Sequence, residues 1–165
     1  MKQWLSILLF LYGGQILAGH IRVGKNRPYR SITEAVAASK PGDTVIVDQG
    51  TYFEKNLVIR KPIVLTGIGH PLLDGEGKYE IISVKSSHVT INGFRLQRTG
   101  VSSMEDYAAI KIYNSSNVKV TNNIIRDAFF GIYSQYGINC LIQNNYLVAS
   151  NKEEQQSGNG IHCWK

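Results

Sequence analysis

Three stretches of this chain superimpose without a gap: Val89-Thr90-Ile91-Asn92-Gly93-Phe94, Val118-Lys119-Val120-Thr121-Asn122-Asn123 and Cys140-Leu141-Ile142-Gln143-Asn144-Asn145. Each is a short alternating strand that runs into Gly or Asn-Asn. A second register lies eight residues upstream, at Ile110, Ile132 and Ile161, and a weaker early copy is Ile63-Val64-Leu65-Thr66-Gly67-Ile68. A strand this short cannot stand alone. Stacked in parallel on its copy about 4.8 Å away, it pairs its backbone and buries one face. The repeat therefore predicts an all-β fold, a right-handed single-stranded parallel β-helix with turns of about 22 residues. Val89/Val118/Cys140 and Ile91/Val120/Ile142 are its expected aliphatic columns. Asn122 over Asn144 and Asn123 over Asn145 are its expected amide ladders, because Asn tolerates a left-handed backbone and can bond the neighbouring turn. The rival architecture is an antiparallel β-sandwich with evenly spaced strands.

The segments outside the repeat divide the chain further. Lys2 followed by an apolar run from Trp4 to Tyr12, too short to span a bilayer, and then Ala18-Gly19 has the layout of a secretory signal over 1–18, with an uncleaved anchor as the alternative. Either reading puts the folded part outside the cytoplasm. Residues 19–44 read as a cap. There Ser31-Ile32-Thr33-Glu34 forms a capping box, Ile32, Ala35, Val36 and Ala38 give one apolar helix face, and Pro41-Gly42-Asp43 stops it. The coil is expected over 45–165, beginning with Val45-Ile46-Val47 and Leu57-Val58-Ile59. The net charge is +6 without any Lys/Arg run, so no nucleic-acid partner is expected.

Register decides which side chains are available. If Ile110, Ile132 and Ile161 point inward, Lys111, Tyr133 and His162 point outward, and so do Tyr113 and Trp164 two residues later. Lys111, Tyr113, Tyr133, His162 and Trp164 are thus expected to share one exposed strip suited to docking a protein or a sugar. The bland alternative is outward packing beneath long loops. Gln97–Ala109 and Val148–Gly160 are such loops, and both leave the same corner. Met104 and His162 are the reachable soft-metal donors, which makes copper possible, although no CxxC or HxxxH spacing supports it. His20 could add an amino-terminal copper ligand if cleavage left it at the head of the chain. Cys163 falls in the inward column over Ser134, whereas Cys140 lies eight residues further round its turn. A disulfide needs Cα atoms within about 7 Å, so two buried free thiols are expected. The strip offers no Asp or Glu ladder of the kind that a calcium-dependent lyase or epimerase needs, and the expectation is a non-enzyme. A carbohydrate-binding or carbohydrate-active coil is the alternative.

Several further motifs, taken in order, resemble a known family: Tyr29-Arg30-Ser31-Ile32, Pro41-Gly42-Asp43-Thr44-Val45, Gly50-Thr51-Tyr52, Lys61-Pro62, Leu65-Thr66-Gly67, Leu73-Asp74-Gly75, Phe129-Phe130-Gly131-Ile132-Tyr133 and Ser157-Gly158-Asn159-Gly160-Ile161-His162-Cys163-Trp164. Together they resemble the NosD family of pectin-lyase-like β-helices. The resemblance implies a periplasmic, copper-binding accessory protein that works with an ABC-type membrane complex to help load the copper cluster of nitrous oxide reductase. Members of that family are much longer, which implies that C-terminal turns of the coil are missing here.

Overall fold

The computed structural model describes residues 18–102, 104–148 and 158–165; the expected secretory signal lies almost wholly outside them. Among the described residues, sixteen short strands form three parallel sheets that the chain visits in rotation. Sheet A stacks β1 (His20–Val23), β2 (Thr44–Val47), β5 (Val64–Gly67), β8 (Thr90–Asn92), β11 (Lys119–Thr121) and β14 (Leu141–Gln143). Sheet B stacks β3 (Thr51–Tyr52), β6 (Leu72–Asp74), β9 (Arg95–Gln97), β12 (Ile124–Arg126) and β15 (Tyr146–Val148). Sheet C stacks β4 (Leu57–Ile59), β7 (Ile82–Val84), β10 (Ala108–Tyr113), β13 (Phe130–Gln135) and β16 (Ile161–Trp164). Every strand pair among the described residues is parallel, as a coil requires and an antiparallel sandwich forbids.

The register is the one the repeat predicts: Val120 pairs with Ile91 below and Ile142 above, and Ile132 pairs with Ile110 and Ile161. Inward residues Leu65, Ile91 and Val120 are fully buried and form one column, and Leu73, Leu96 and Ile125 form another. Burying a side chain of this size contributes about 1.5–3 kcal/mol. The columns are therefore the main source of stability.

The A-to-B corner is held by asparagine. Asn123 is 1% exposed. Its Oδ1 accepts from the Phe94 N–H, and its Nδ2 donates to Asn145 Oδ1 and Ile91 O. Asn145 repeats the pattern by donating to Val120 O. Asn122 and Asn144 both have φ 56°, the left-handed geometry that lets the chain turn. Asn122 bonds downward to Asn92 Oδ1 at 2.8 Å, so the outer ladder is anchored one turn below.

Helix α1 (Ile32–Ala38) lies against β1, β2 and β4, with Ile32, Ala35 and Val36 buried and Ala38 exposed. Ser31 is its N-cap and accepts from Glu34 N. The carboxylate that completes the cap is not Glu34 but Glu54, which accepts from Ile32 N, Thr33 N and the Ser31 and Thr33 hydroxyls. The cap also carries a rung of its own, because β1 pairs with β2 along its whole length.

Candidate functional site

Alternation along sheet C sends Ser83, Lys111, Tyr133 and His162 outward in one column, and Tyr113, Gln135 and Trp164 in the next. The residues chosen from sequence thus stand side by side, but not as one exposed strip. Lys111 is 7% exposed and Tyr133 4%, whereas Trp164 is 54% exposed. Tyr113 and His162 are half-buried. The cover comes from the segment between β9 and β10, the first of the two long loops. Asp106 O accepts from Lys111 Nζ at 3.1 Å.

Lys111 Nζ sits between two rings, 4.9 Å from the Tyr113 centroid and 4.8 Å from that of Tyr133. Lys85 Nζ lies 4.7 Å from the Tyr113 ring. A desolvated cation over a ring gains about 2 kcal/mol, which compensates the burial of an ammonium that forms no ion pair with a described residue. Towards β16 the face becomes aromatic. His162 packs edge-on to Tyr133 at 4.9 Å, against Phe130 at 5.2 Å and stacked on Trp164 at 6.3 Å. Asp106, Phe130, Tyr133, Gln135, His162 and Trp164 line an open groove of about 390 Å³. Within β13, Gly131 approaches the neighbouring segment so closely that a Cβ there would collide with Gly160 O.

Sequence reasoning did not single out Glu80, which lies in the corner segment before β7, outside the alternating strands. It is 5% exposed, and its two carboxylate oxygens accept from Tyr113 Oη at 3.1 Å each. The Ser83 hydroxyl bonds it as well and also meets Asn56 Oδ1 at 2.9 Å. Burial pushes the Glu80 carboxyl above its ordinary range, against the opposing pull of Ser83, Lys111, Tyr113 and Lys85. Tyr113 is driven far above its ordinary value by burial and by the negative Glu80 beside it. Burial, then the Asp106 carboxylate, raise Tyr133 too. Phenols shifted in this direction stay protonated and cannot serve as bases near neutrality.

The soft-donor pair is sparse. Met104 is 91% exposed on its loop, and His162 Nδ1 lies 3.2 Å from Asn159 Nδ2. No three His, Cys, Asp or Glu side chains among the described residues gather as metal ligands. Glu153 and Glu154, the acidic residues of the second long loop, lie outside the described residues. The thiols also depart from expectation. Both cysteines are free, and Cys163 pairs in register with Ser134, but Cys140 is only half-buried and Cys163 is exposed. An inward position buries a side chain only where another turn lies over it, and among the described residues no strand of sheet C lies beyond β16.

The family model for the right handed beta helix region matches residues 43–165. The chain is 29% identical over 111 residues to the probable ABC transporter binding protein NosD of Pseudomonas aeruginosa, covering 66% of this chain and 26% of that protein. It is 25% identical over 139 residues to a cell surface glycoprotein of Methanothermus fervidus, covering 81% of this chain and 22% of that one. The chain thus spans about a quarter of the length of the curated relatives it matches. No solved structure matches it significantly.

Proposed function

This chain belongs to the right-handed β-helix family, and from that premise we propose that it is a non-catalytic docking coil of an exported assembly. Its outer sheet C face presents His162 and Trp164 to a protein partner. The likeness to a probable ABC transporter binding protein supports an ABC-type membrane complex as one partner; with a cell surface glycoprotein as a second relative, we read the compartment as lying outside the cytoplasm, the periplasm. The finer reading is that the assembly loads the copper cluster of nitrous oxide reductase, with copper as cargo. Met104 on its loop and His162 in the groove are the soft donors it would offer that cargo.

One observation carries the non-catalytic reading. Among the described residues the face holds one buried carboxylate, Glu80, which is fully engaged, and one exposed carboxylate, Asp106, at the groove; its tyrosines are shifted away from basicity, and its accessible end is an aromatic stack. Exposed aromatics at a contact centre commonly contribute about 2 kcal/mol or more each, roughly thirtyfold in affinity. Trp164→Ala and His162→Ala should therefore leave the melting temperature unchanged, weaken binding to the membrane complex or the reductase, and leave the reductase short of copper. Full maturation with both residues replaced refutes the docking face. Release of unsaturated or epimerised sugars from a glycan by the purified protein refutes the non-catalytic reading.

A further inference from the structure

The groove on sheet C is lined by the rings of Phe130, Tyr133, His162 and Trp164 and by the Asp106 carboxylate, and among the described residues no lysine or arginine lines it. Asp106 is exposed and makes no ion pair with a described residue. Its carboxylate lies against the Tyr133 hydroxyl. Lys111 does not neutralise it, because that ammonium bonds the Asp106 backbone oxygen and is held between the rings of Tyr113 and Tyr133. The Lys111 charge is felt instead by the buried Glu80 carboxylate. The groove thus keeps a negative charge that no described cation answers. His162 and Trp164 are two residues apart on β16 and so point the same way. Their rings are near-parallel, tilted by 19°, with centroids 6.3 Å apart. Atoms in contact lie about 3.5–4.0 Å apart, so neither ring covers the face of the other, and Trp164 is 54% exposed. Gln135, in register with Trp164, has a side-chain amide that bonds no described residue.

Resting on the docking reading of this face, we infer that the groove receives an arginine side chain of the protein partner. A guanidinium is planar, so it can lie flat on the Trp164 or His162 ring while its N–H fork reaches the Asp106 carboxylate. Gln135 Oε1 is a further acceptor within the same lining. A lysine ammonium carries the charge but has neither the flat face nor the paired donors. A carboxylate or phosphate group would meet Asp106 with like charge and find no cation in the lining to hold it. An uncharged side chain would use the rings and leave the carboxylate unanswered.

The test is a nitrogen-edited NMR titration of the full chain with a capped Gly-Arg-Gly peptide, and with peptides carrying citrulline, lysine or glutamate in place of the arginine. The arginine peptide should shift the Trp164 indole N–H and the Gln135 amide signals to saturation in the millimolar range. The citrulline peptide, a neutral isostere, should bind at least about tenfold more weakly, the lysine peptide several-fold more weakly, and the glutamate peptide not at all. Asp106→Asn should lower the affinity for the arginine peptide about tenfold, and Trp164→Ala, read at Gln135, several-fold. Arg126→Ala on sheet B should bind as the parent does. These three residues are exposed, so unchanged melting curves are expected for the variants. Absence of arginine-peptide binding, equal binding of the citrulline peptide, or undiminished binding by Asp106→Asn each overturns the inference. Docking to the membrane complex or the reductase separates it from the reading beneath it. If Asp106→Asn docks as the parent does while Trp164→Ala does not, the arginine assignment falls and the docking face stands. If both dock as the parent does, the docking reading falls and this inference with it.

Discussion

Val120 and Lys119 are neighbours in one three-residue strand, yet Val120 is fully buried and Lys119 is exposed. Val120→Asp places an unpaired carboxylate in an apolar column, a penalty of several kcal/mol against a typical total stability of about 5–15 kcal/mol. That variant should fail to fold, while Lys119→Asp should stay within about 0.5 kcal/mol; denaturant melts of both check this. Asn123→Ala strips the partner from the buried Phe94 N–H and should cost about 1–3 kcal/mol. Two carboxylates give opposite pH dependences. Burial pulls the Asp74 carboxyl up, but the bonds from Arg98, Gln97 and the Glu76 N–H outweigh it and hold it below its ordinary value. Its stabilisation is therefore present above the unfolded value of about 3.9 and is lost as pH falls through the folded value. Glu80 is raised, so its burial costs stability while ionised, and the cost is relieved as pH falls through its folded value towards about 4.3. In melts at stepped pH, Glu80→Gln should lack the stability gain that the parent shows on mild acidification. The parity of Val120 and the ladder of Asn123 were legible because both repeat with the turn. Glu80 was not, because Tyr113, its partner, stands 33 residues away in sequence.

Helix α1 has only 7 residues, too few to persist in water alone. It holds because Ile32, Ala35 and Val36 are buried against the first turn and because Glu54 reaches its N-terminus from the connection between β3 and β4. A charge-assisted cap of this kind is worth about 1–3 kcal/mol. Glu54→Ala should lower the melting temperature by several degrees and speed amide exchange at Ile32 and Thr33. Glu34→Ala, at an exposed residue, should do little, and the reverse order of effects would restore Glu34 as the reciprocal cap. The capping box located this helix correctly from Ser31, but local spacing cannot reveal an acceptor that arrives from the β3–β4 connection. The segment between β9 and β10 behaves in the same way. Its length predicted a loop at that corner, and only folding laid Asp106 across Lys111.

At the scale of the whole molecule, the coil is a stack whose interior is sealed turn by turn, and the state of each inward side chain depends on the rung above it. Cys163 sits inward in register yet is exposed on β16, whereas Cys140 is half-buried against the core. An alkylating reagent should therefore label Cys163 rapidly in the folded chain and Cys140 slowly, with both labelled equally after denaturation. A mass two units lower, restored by reductant, would show a bridge instead. The sequence by itself determined the parallel stacking, the inside–outside parity of each strand and the asparagine corner. These follow from backbone alternation and from a period that recurs along the chain. Only the tertiary structure decided that Lys111 and Tyr133 lie under a loop, that Glu54 and Glu80 are structural carboxylates, that Cys163 is open, and that Asp106 and Trp164 line one groove. Accessibility depends on how a loop lies over the sheet, and pairing across rungs joins partners 22 and 33 residues apart in the chain; such encounters leave no periodic trace in the residues that make them.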